Sequence, residues 1–265
     1  MDQVVIRECL SIEELDTCVQ LQRVVFGLPD LEVSPRRHLI VSRQAGGWTL
    51  GAFSDRGNGR LVGFVHHLAA VKNDGEVFGY SHMMAVDREY QNQGVGTRLK
   101  WAQRERALAE GGSFIKWTWD PMQARNAHFN LNRLGVIVSS YAENFYGTDY
   151  GTDPLLETGA HRGIDSDRLF AGWHLSSERV LDLAQGREPK PLGEVAMRIE
   201  IPKDWSQLIR EDADTARQQQ LRVRREFHEA FSAGLICAGF ERGTTNPHYL
   251  LYKPSLLLAS RSEDR

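Results

Sequence analysis

The chain is 265 residues long, 41% hydrophobic and 25% charged, so it holds enough apolar material for a sizeable core without a metal or disulfide staple. Its 32 basic and 35 acidic residues leave a formal net charge of −3, which argues against a protein built to neutralise many phosphates. Cys9, Cys18 and Cys237 are scattered, with no CxxC pair or Cys/His cluster, and no apolar run reaches the length of a membrane span. No metal site, nucleic-acid partner or membrane contact is expected. The opening Met1-Asp2-Gln3-Val4-Val5-Ile6-Arg7 lacks the pattern of a signal peptide, which predicts a cytoplasmic protein.

In chain order, Val4–Arg7 reads as a strand, and Ser11 with Glu14 forms a capping box ahead of a helix that stops near Gly27. A second helix is predicted from Ser34-Pro35 to Gly46-Gly47. From Trp48 the period changes to that of strands, over 48–53, 61–71 and 77–86, joined by Asn/Gly-rich turns as antiparallel neighbours. After Gly94 the pattern is helical as far as Gly111-Gly112. A strand over 114–119, a helix over 123–134 and a strand from Val136 complete a crossover unit with parallel pairing. Residues 147–167 read as a long loop, Arg168–Leu175 as a strand and 186–191 as a linker. The remainder predicts a strand over 196–201, one long helix from Asp204 to Gly234 and two short strands. Arg222, Arg224 and Arg225 are expected on that helix's solvated face, short of a nucleic-acid footprint.

The residues around Gly94 carry the chemistry. A strand ending in Met83-Met84-Ala85-Val86 passes through Asp87–Tyr90 into a loop with two glycines that opens directly into a helix. Helix N-termini expose unpaired N–H groups and the positive end of the macrodipole, which suit an anion, and glycine lets a phosphate approach the backbone. The dinucleotide fingerprint fails because Leu99 stands where a third glycine is needed. The NTPase phosphate loop fails for want of a lysine between Gly96 and Thr97.

Gln91-Asn92-Gln93-Gly94-Val95-Gly96 does fit Gln/Arg-x-x-Gly-x-Gly/Ala. With Ala85-Val86 before it and Leu99 after it, the segment resembles the acyl-CoA loop of the GNAT superfamily of N-acyltransferases. Asn126, Ala127, Leu134, Gly135 and Val136 resemble a second run of that family, with Val136 in place of the usual aromatic, and the likeness covers residues 3–146. It implies an α/β (α+β) GNAT fold, a mixed central sheet flanked by helices, over residues 1–186 with its core motif at 77–146. A C-terminal β-α-β-β extension at 187–265 then packs on the core or forms a homodimer contact. The resemblance further implies acetyl-CoA or another acyl-CoA as co-substrate. Gln91, Asn92, Gln93, Gly94, Val95, Gly96 and Thr97 would hold its phosphates, Met84, Ala85 and Val86 its pantetheine, and Asn126 a further part.

The expected reaction is direct attack by the amine of a small molecule, an amino acid being preferred, on an acetyl or succinyl thioester. A base must deprotonate that amine. By the period of two, Tyr80, His82 and Met84 are predicted on one face of their strand. Imidazole titrates near neutrality, so His82 is chemically suitable, and its place resembles the histidine of some arylalkylamine acetyltransferases; it serves as the base or is hydrogen-bonded within a half-buried strand. Glu76 is a second base candidate, and His66 and His67 must face opposite sides of the neighbouring strand. Family members place a tyrosine as general acid where Leu131 stands here, so Tyr141, Tyr146 or unassisted departure of the thiolate takes its place. The alternative to catalysis is a GNAT-fold sensor or scaffold that binds acyl-CoA.

Overall fold

The computed structural model describes residues 4–28, 30–55, 59–148, 164–243 and 245–254. These fall into two compact units, residues 4–116 and residues 117–148 with 164–254. Most of the predicted loop, residues 149–163, lies outside the described residues.

The first unit opens with β1 (Val4–Glu8) and α1 (Ile12–Phe26). The Ser11 hydroxyl accepts from the N–H of Glu14 while the Glu14 carboxylate accepts from the N–H of Ser11, so the predicted capping box forms. Gly27 ends α1 in the left-handed region at φ 63°. Next come α2 (Arg36–Gln44), β2 (Trp48–Ser54), β3 (Arg60–Val71) and β4 (Val77–Val86). A 3₁₀ turn at Arg88–Tyr90 leads into α3 (Val95–Ala109), followed by the start of β5 (Phe114–Trp119). The strand order is β1-β2-β3-β4-β5, antiparallel except for the last pair.

Helices cover both faces of this sheet. Leu15, Cys18, Val19 and Leu21 of α1 and Leu39 of α2 pack with Phe53, Phe64 and Ala85 in a single apolar cluster. Neighbouring histidines of β3 show the two faces, since His66 reaches Ser42 of α2 and His67 reaches Gln103 of α3.

The second unit contains the end of β5, α4 (Ala124–His128), β6 (Tyr141–Ala142), β7 (Arg168–His174) and α5 (Glu178–Ala184). The C-terminal part adds β8 (Met197–Glu200), α6 (Trp205–Glu211), α7 (Ala213–Ser232), β9 (Ile236–Glu241) and β10 (His248–Tyr252). Its strands form an antiparallel sheet of order β8-β10-β9, and β5-β7-β6 is the order of the other strands of this unit. The C-terminal residues join the 117–148 segment through Asn132, whose carboxamide bonds both the N–H and the C=O of Phe240, and through the Tyr249 hydroxyl, which donates to Pro121 O. No helix among the described residues is long and apolar enough to cross a membrane.

Several expectations are corrected. The long helix is two, because Asp212 leaves helical geometry (φ −151°, ψ 83°) and its carboxylate accepts from the N–H of Thr215, starting α7 afresh. The predicted helix over 123–134 changes to a π-helical turn at Phe129–Arg133. Val136–Val138 contributes only isolated bridges, from Ile137 to Gly172 and from Val138 to Cys237. Arg224 does not lie on a solvated face, since it bonds Asp165, Asp167 and Glu143 and its side chain is 15% exposed.

Candidate functional site

Strand β4 positions the chemistry of the first unit. Its pairing with β3 runs in register from Gly63↔Val86 to His66↔Met83 and resumes at His67↔Ser81. His82 is therefore the extra residue of a β-bulge. A bulge places two successive side chains on one face and shifts the alternation that follows. The Ser81 hydroxyl faces α3, where the Lys100 amine donates to it at 3.1 Å. His82 faces α2, and Met83 and Ala85 join the apolar cluster under α1. Met84 lies on the α3 side, beside Gly96. The predicted single face for Tyr80, His82 and Met84 thus holds for the first two by alternation and fails for Met84, because the bulge intervenes.

On its other edge β4 pairs with β5 in parallel only at Gly79↔Ile115 and Tyr80↔Lys116. From Ser81 to Val86 the strand has no partner on that edge among the described residues of the first unit, so its backbone groups are open to an extended ligand.

The loop after β4 is locally determined. The N–H of Asp87 donates to Val62 O, its carboxylate accepts from the N–H of Glu89, and the Gln91 carboxamide donates to Val86 O at 2.9 Å. Asn92 has φ 60° and Gly94 φ 82°, which folds the chain back into the start of α3. Val95 and Leu99 anchor α3 in the core. The first α3-directed hydrogen bond is from Arg98 N to Gly94 O. The N–H groups of residues 92–97 have no acceptor among the described residues. A Cβ added to Gly94 would meet nothing within 4 Å, and one on Gly96 would lie 3.5 Å from Met84 Cε. An anion at this helix start meets free donors and an uncrowded backbone, so the loop can receive a phosphate group.

His82 lies within a group of imidazoles. Its Nε2 is 3.1 Å from the Ser34 hydroxyl, and its ring is edge-on to His38 at 5.5 Å and to His66 at 6.1 Å. His66 is saturated, with Thr49 Oγ1 at 2.8 Å from Nδ1 and Ser42 Oγ at 3.1 Å from Nε2. Burial first, then the His82 and His38 rings, holds His66 at about 3, and burial together with His38 holds His82 at about 4. Both rings are neutral at pH 7. Glu76 is paired with Lys72 at 2.5 Å on the exposed turn before β4.

The pattern of the acetyltransferase (GNAT) family matches residues 15–135, which takes in most of α1, the His82 bulge, the loop and α3. Residues 15–135 are thus similar to the GNAT acetyltransferase family, whose co-substrate is acetyl-CoA, and the protein is an acetyltransferase-type enzyme. A comparison with curated proteins finds no match. In fold the chain is similar to a GNAT-family protein from Desulfovibrio desulfuricans, at 13% identity and TM-score 0.51 over 66% of this chain and 100% of that one. It is also similar to an acetyltransferase-type protein from Acinetobacter baylyi, at 15% identity and TM-score 0.50 over 65% and 92%. A third is NAA60 of Arabidopsis thaliana in complex with a bisubstrate analogue, at 12% identity and TM-score 0.50 over 64% and 97%.

The remaining predicted GNAT residues lie in the second unit. Asn126 is exposed on α4. Leu131, which stands where family members place a tyrosine, is fully buried inside the π-helical turn. The Tyr146 hydroxyl is 3.4 Å from Thr118 Oγ1, and the Arg168 guanidinium lies over its ring at 5.0 Å. The Tyr141 hydroxyl donates to buried Asp167 at 2.5 Å, and burial, then that carboxylate, pushes its pKa well above the ordinary tyrosine value, which makes this phenol a poor proton donor. Sequence reasoning missed Ser34 and His38. Ser34-Pro35 carried the signal of a helix start, yet Pro35 is the residue at the N-cap of α2 and no side chain caps that helix.

Proposed function

We propose that the protein transfers an acetyl or succinyl group from coenzyme A to the amine of a small molecule, an amino acid in the first place, by direct attack with His82 as base. The observation that carries this reading is the bulge. It sets an imidazole that is neutral at pH 7 at the point where β4 leaves its β5 partner and runs towards the loop of free N–H groups. Met84, Ala85 and Val86 supply the open strand edge, and Gln91–Thr97 the donors at the helix start, for the co-substrate. Asn126, Tyr80 and Tyr146 are assigned supporting roles, Asn126 on the cofactor and the two tyrosines in proton transfer.

In this reading His82 takes a proton from the acceptor ammonium. The freed lone pair forms the C–N bond, the thioester C–S bond breaks, and the sulfur leaves as a thiolate that takes up the second proton, shed by the acylated nitrogen as it becomes the neutral amide. An amino acid is supported by a groove of about 520 Å³ beside Ser34, lined by Val33, Pro35, Asp16, Asp30, Arg23 and Arg37. It offers both signs of charge, and Arg37 carries no ion pair among the described residues. Three free, buried cysteines agree with a reducing, cytoplasmic setting.

The test is thiol release by purified protein with acetyl-CoA or succinyl-CoA. The acceptors are a panel of amino acids, simple amines and one peptide with a free N-terminus, alongside His82→Ala. Turnover with an amino acid that is lost in the variant is the expected result. Turnover only with the peptide replaces the acceptor class, and turnover that survives His82→Ala removes His82 as base.

A further inference from the structure

Ser34 is unusual in that its hydroxyl ignores the helix it precedes. A serine ahead of a helix ordinarily accepts from a first-turn N–H. Here α2 has Pro35 at its N-cap and no side-chain cap, and the Ser34 hydroxyl is turned to His82 Nε2 at 3.1 Å instead.

The backbone of Ser34 is held on both sides by one carboxamide. Gln22 of α1 accepts from Ser34 N at 2.8 Å and donates to Ser34 O at 3.1 Å, much as a neighbouring strand would. Gln22 is 0% exposed, and a buried carboxamide costs free energy unless its donors and acceptors are used. Pro35 adds a further constraint, since a residue before proline is restricted to extended geometry. These contacts leave the Ser34 hydroxyl little choice of direction.

His66 provides the contrast. Both of its ring nitrogens are closed by hydroxyls, and it is 0% exposed. His82 has a hydroxyl on Nε2 alone; Nδ1 has no partner among the described residues. Nor is it one of the nitrogens buried without a partner, a group that includes His38 Nε2, so it keeps contact with solvent. The titratable groups facing His82 are His38 from α2 and His66 from β3, with Tyr80 on its own strand by alternation. Among the described residues His82 makes no ion pair.

We propose that Ser34, clamped by Gln22, is the positioning residue of His82: its Oγ accepts from Nε2–H, so that Nδ1 is the nitrogen that receives the proton of the acceptor ammonium. The inference rests on the reading of His82 as base and adds which nitrogen acts and what fixes it. A histidine's free nitrogen is set by the hydrogen bond that the other one makes. Removing the hydroxyl frees the ring to turn and to exchange tautomers, without touching the loop that holds the co-substrate.

The test combines ¹⁵N-histidine NMR with the kinetics of wild type, Ser34→Ala, Ser34→Thr and His82→Ala. The wild-type spectrum is expected to show His82 protonated at Nε2 with a bare Nδ1. Ser34→Ala is expected to mix the tautomers, lower kcat by roughly tenfold within the span of general-base effects, and move the acid limb of the pH profile. KM for acetyl-CoA stays unchanged, and Ser34→Thr restores most of kcat. A wild-type ring protonated at Nδ1 overturns the inference, and does so even if the alanine variant fails to fold. Loss of turnover in His82→Ala, with kcat, pH profile and tautomer all unmoved in Ser34→Ala, overturns it while sparing the base. Turnover that survives His82→Ala overturns the base reading and this inference together.

Discussion

The two faces of the β3–β4 pair hold similar residues and use them differently. Towards α3, His67 is stacked on Trp48 at 4.1 Å with the rings 4° from parallel, and Gln103 lies 3.3 Å from its Nδ1. Gln103 also accepts from Lys100 at 2.6 Å, and Lys100 donates to Ser81. Burial pushes the Lys100 amine well below the ordinary lysine value. This is a closed chain in which every link has a partner. Towards α2, His82 has one nitrogen engaged and one open, and His38 has Nε2 buried without a partner. A saturated network rigidifies, whereas an unsaturated one in the same sheet is where chemistry has room. The contrast predicts that substitutions on the α3 face change stability and those on the α2 face change rate.

The largest expected effect is His82→Ala, with a loss of about 10²–10⁴ in kcat and an unchanged rise in melting temperature on adding acetyl-CoA. Loss of the acetyl-CoA response along with turnover would mean that the α2 face is structural as well, and the contrast would fail.

Acid sharpens the comparison next. His66 sits at about 3, His67 at about 4 and His82 at about 4, all below the ordinary 6.5 because burial penalises the charged ring. Between 6.5 and about 4 the unfolded chain binds protons that the folded chain refuses. Stability is therefore full above 6.5 and falls as pH drops towards 4, by about 1.4 kcal/mol per pH unit for each ring. Urea unfolding between pH 7.5 and 4.5 measures this slope. His82→Ala, which removes one of the three rings, is expected to flatten it.

Gln103→Leu addresses the α3 face directly. It is 0% exposed, and its loss leaves Lys100 and His67 each short of a buried partner, for a cost of about 2 kcal/mol. The melting temperature should fall with kcat unaltered. A fall in kcat at unchanged stability would place chemistry on the wrong face.

Sequence legibility divides along the same physical line. The loop at Gln91–Gly96 and the capping box at Ser11 and Glu14 are local patterns, and local sequence determines them. The bulge at His82 is not local, since one extra residue exists only relative to β3, and it sends Met84 to the face opposite the one that alternation gives. The role of Ser34 is not legible because its destination, His82, is 48 residues away. Nor is the burial of Arg224, because a helical wheel cannot show Asp165 and Asp167 arriving from before β7. The seven-residue α5, which buries only Val180, is too short to impose a period.

The smallest predicted effect separates two glycines that look equivalent in the sequence. Gly94 has φ 82°, a left-handed conformation that costs an L-residue about 1–2 kcal/mol, although a Cβ there would touch nothing. Gly96 lies within α3, where alanine is favoured over glycine by up to about 1 kcal/mol, and its Cβ would make an ordinary 3.5 Å contact with Met84 Cε. Gly94→Ala should therefore lower the melting temperature, and Gly96→Ala should leave it unchanged or raise it slightly. On binding, the two should share a sign. Gly94→Ala disturbs the turn that presents the N–H groups, and Gly96→Ala adds a methyl on the Met84 and Val86 side of the open strand edge. Raised KM for acetyl-CoA in both, with melting temperatures moving apart, would distinguish a site that needs its backbone bare from a turn that merely needs glycine to fold. An unchanged KM in Gly96→Ala would leave the free N–H groups of residues 92–97 as the co-substrate's main hold on the first unit.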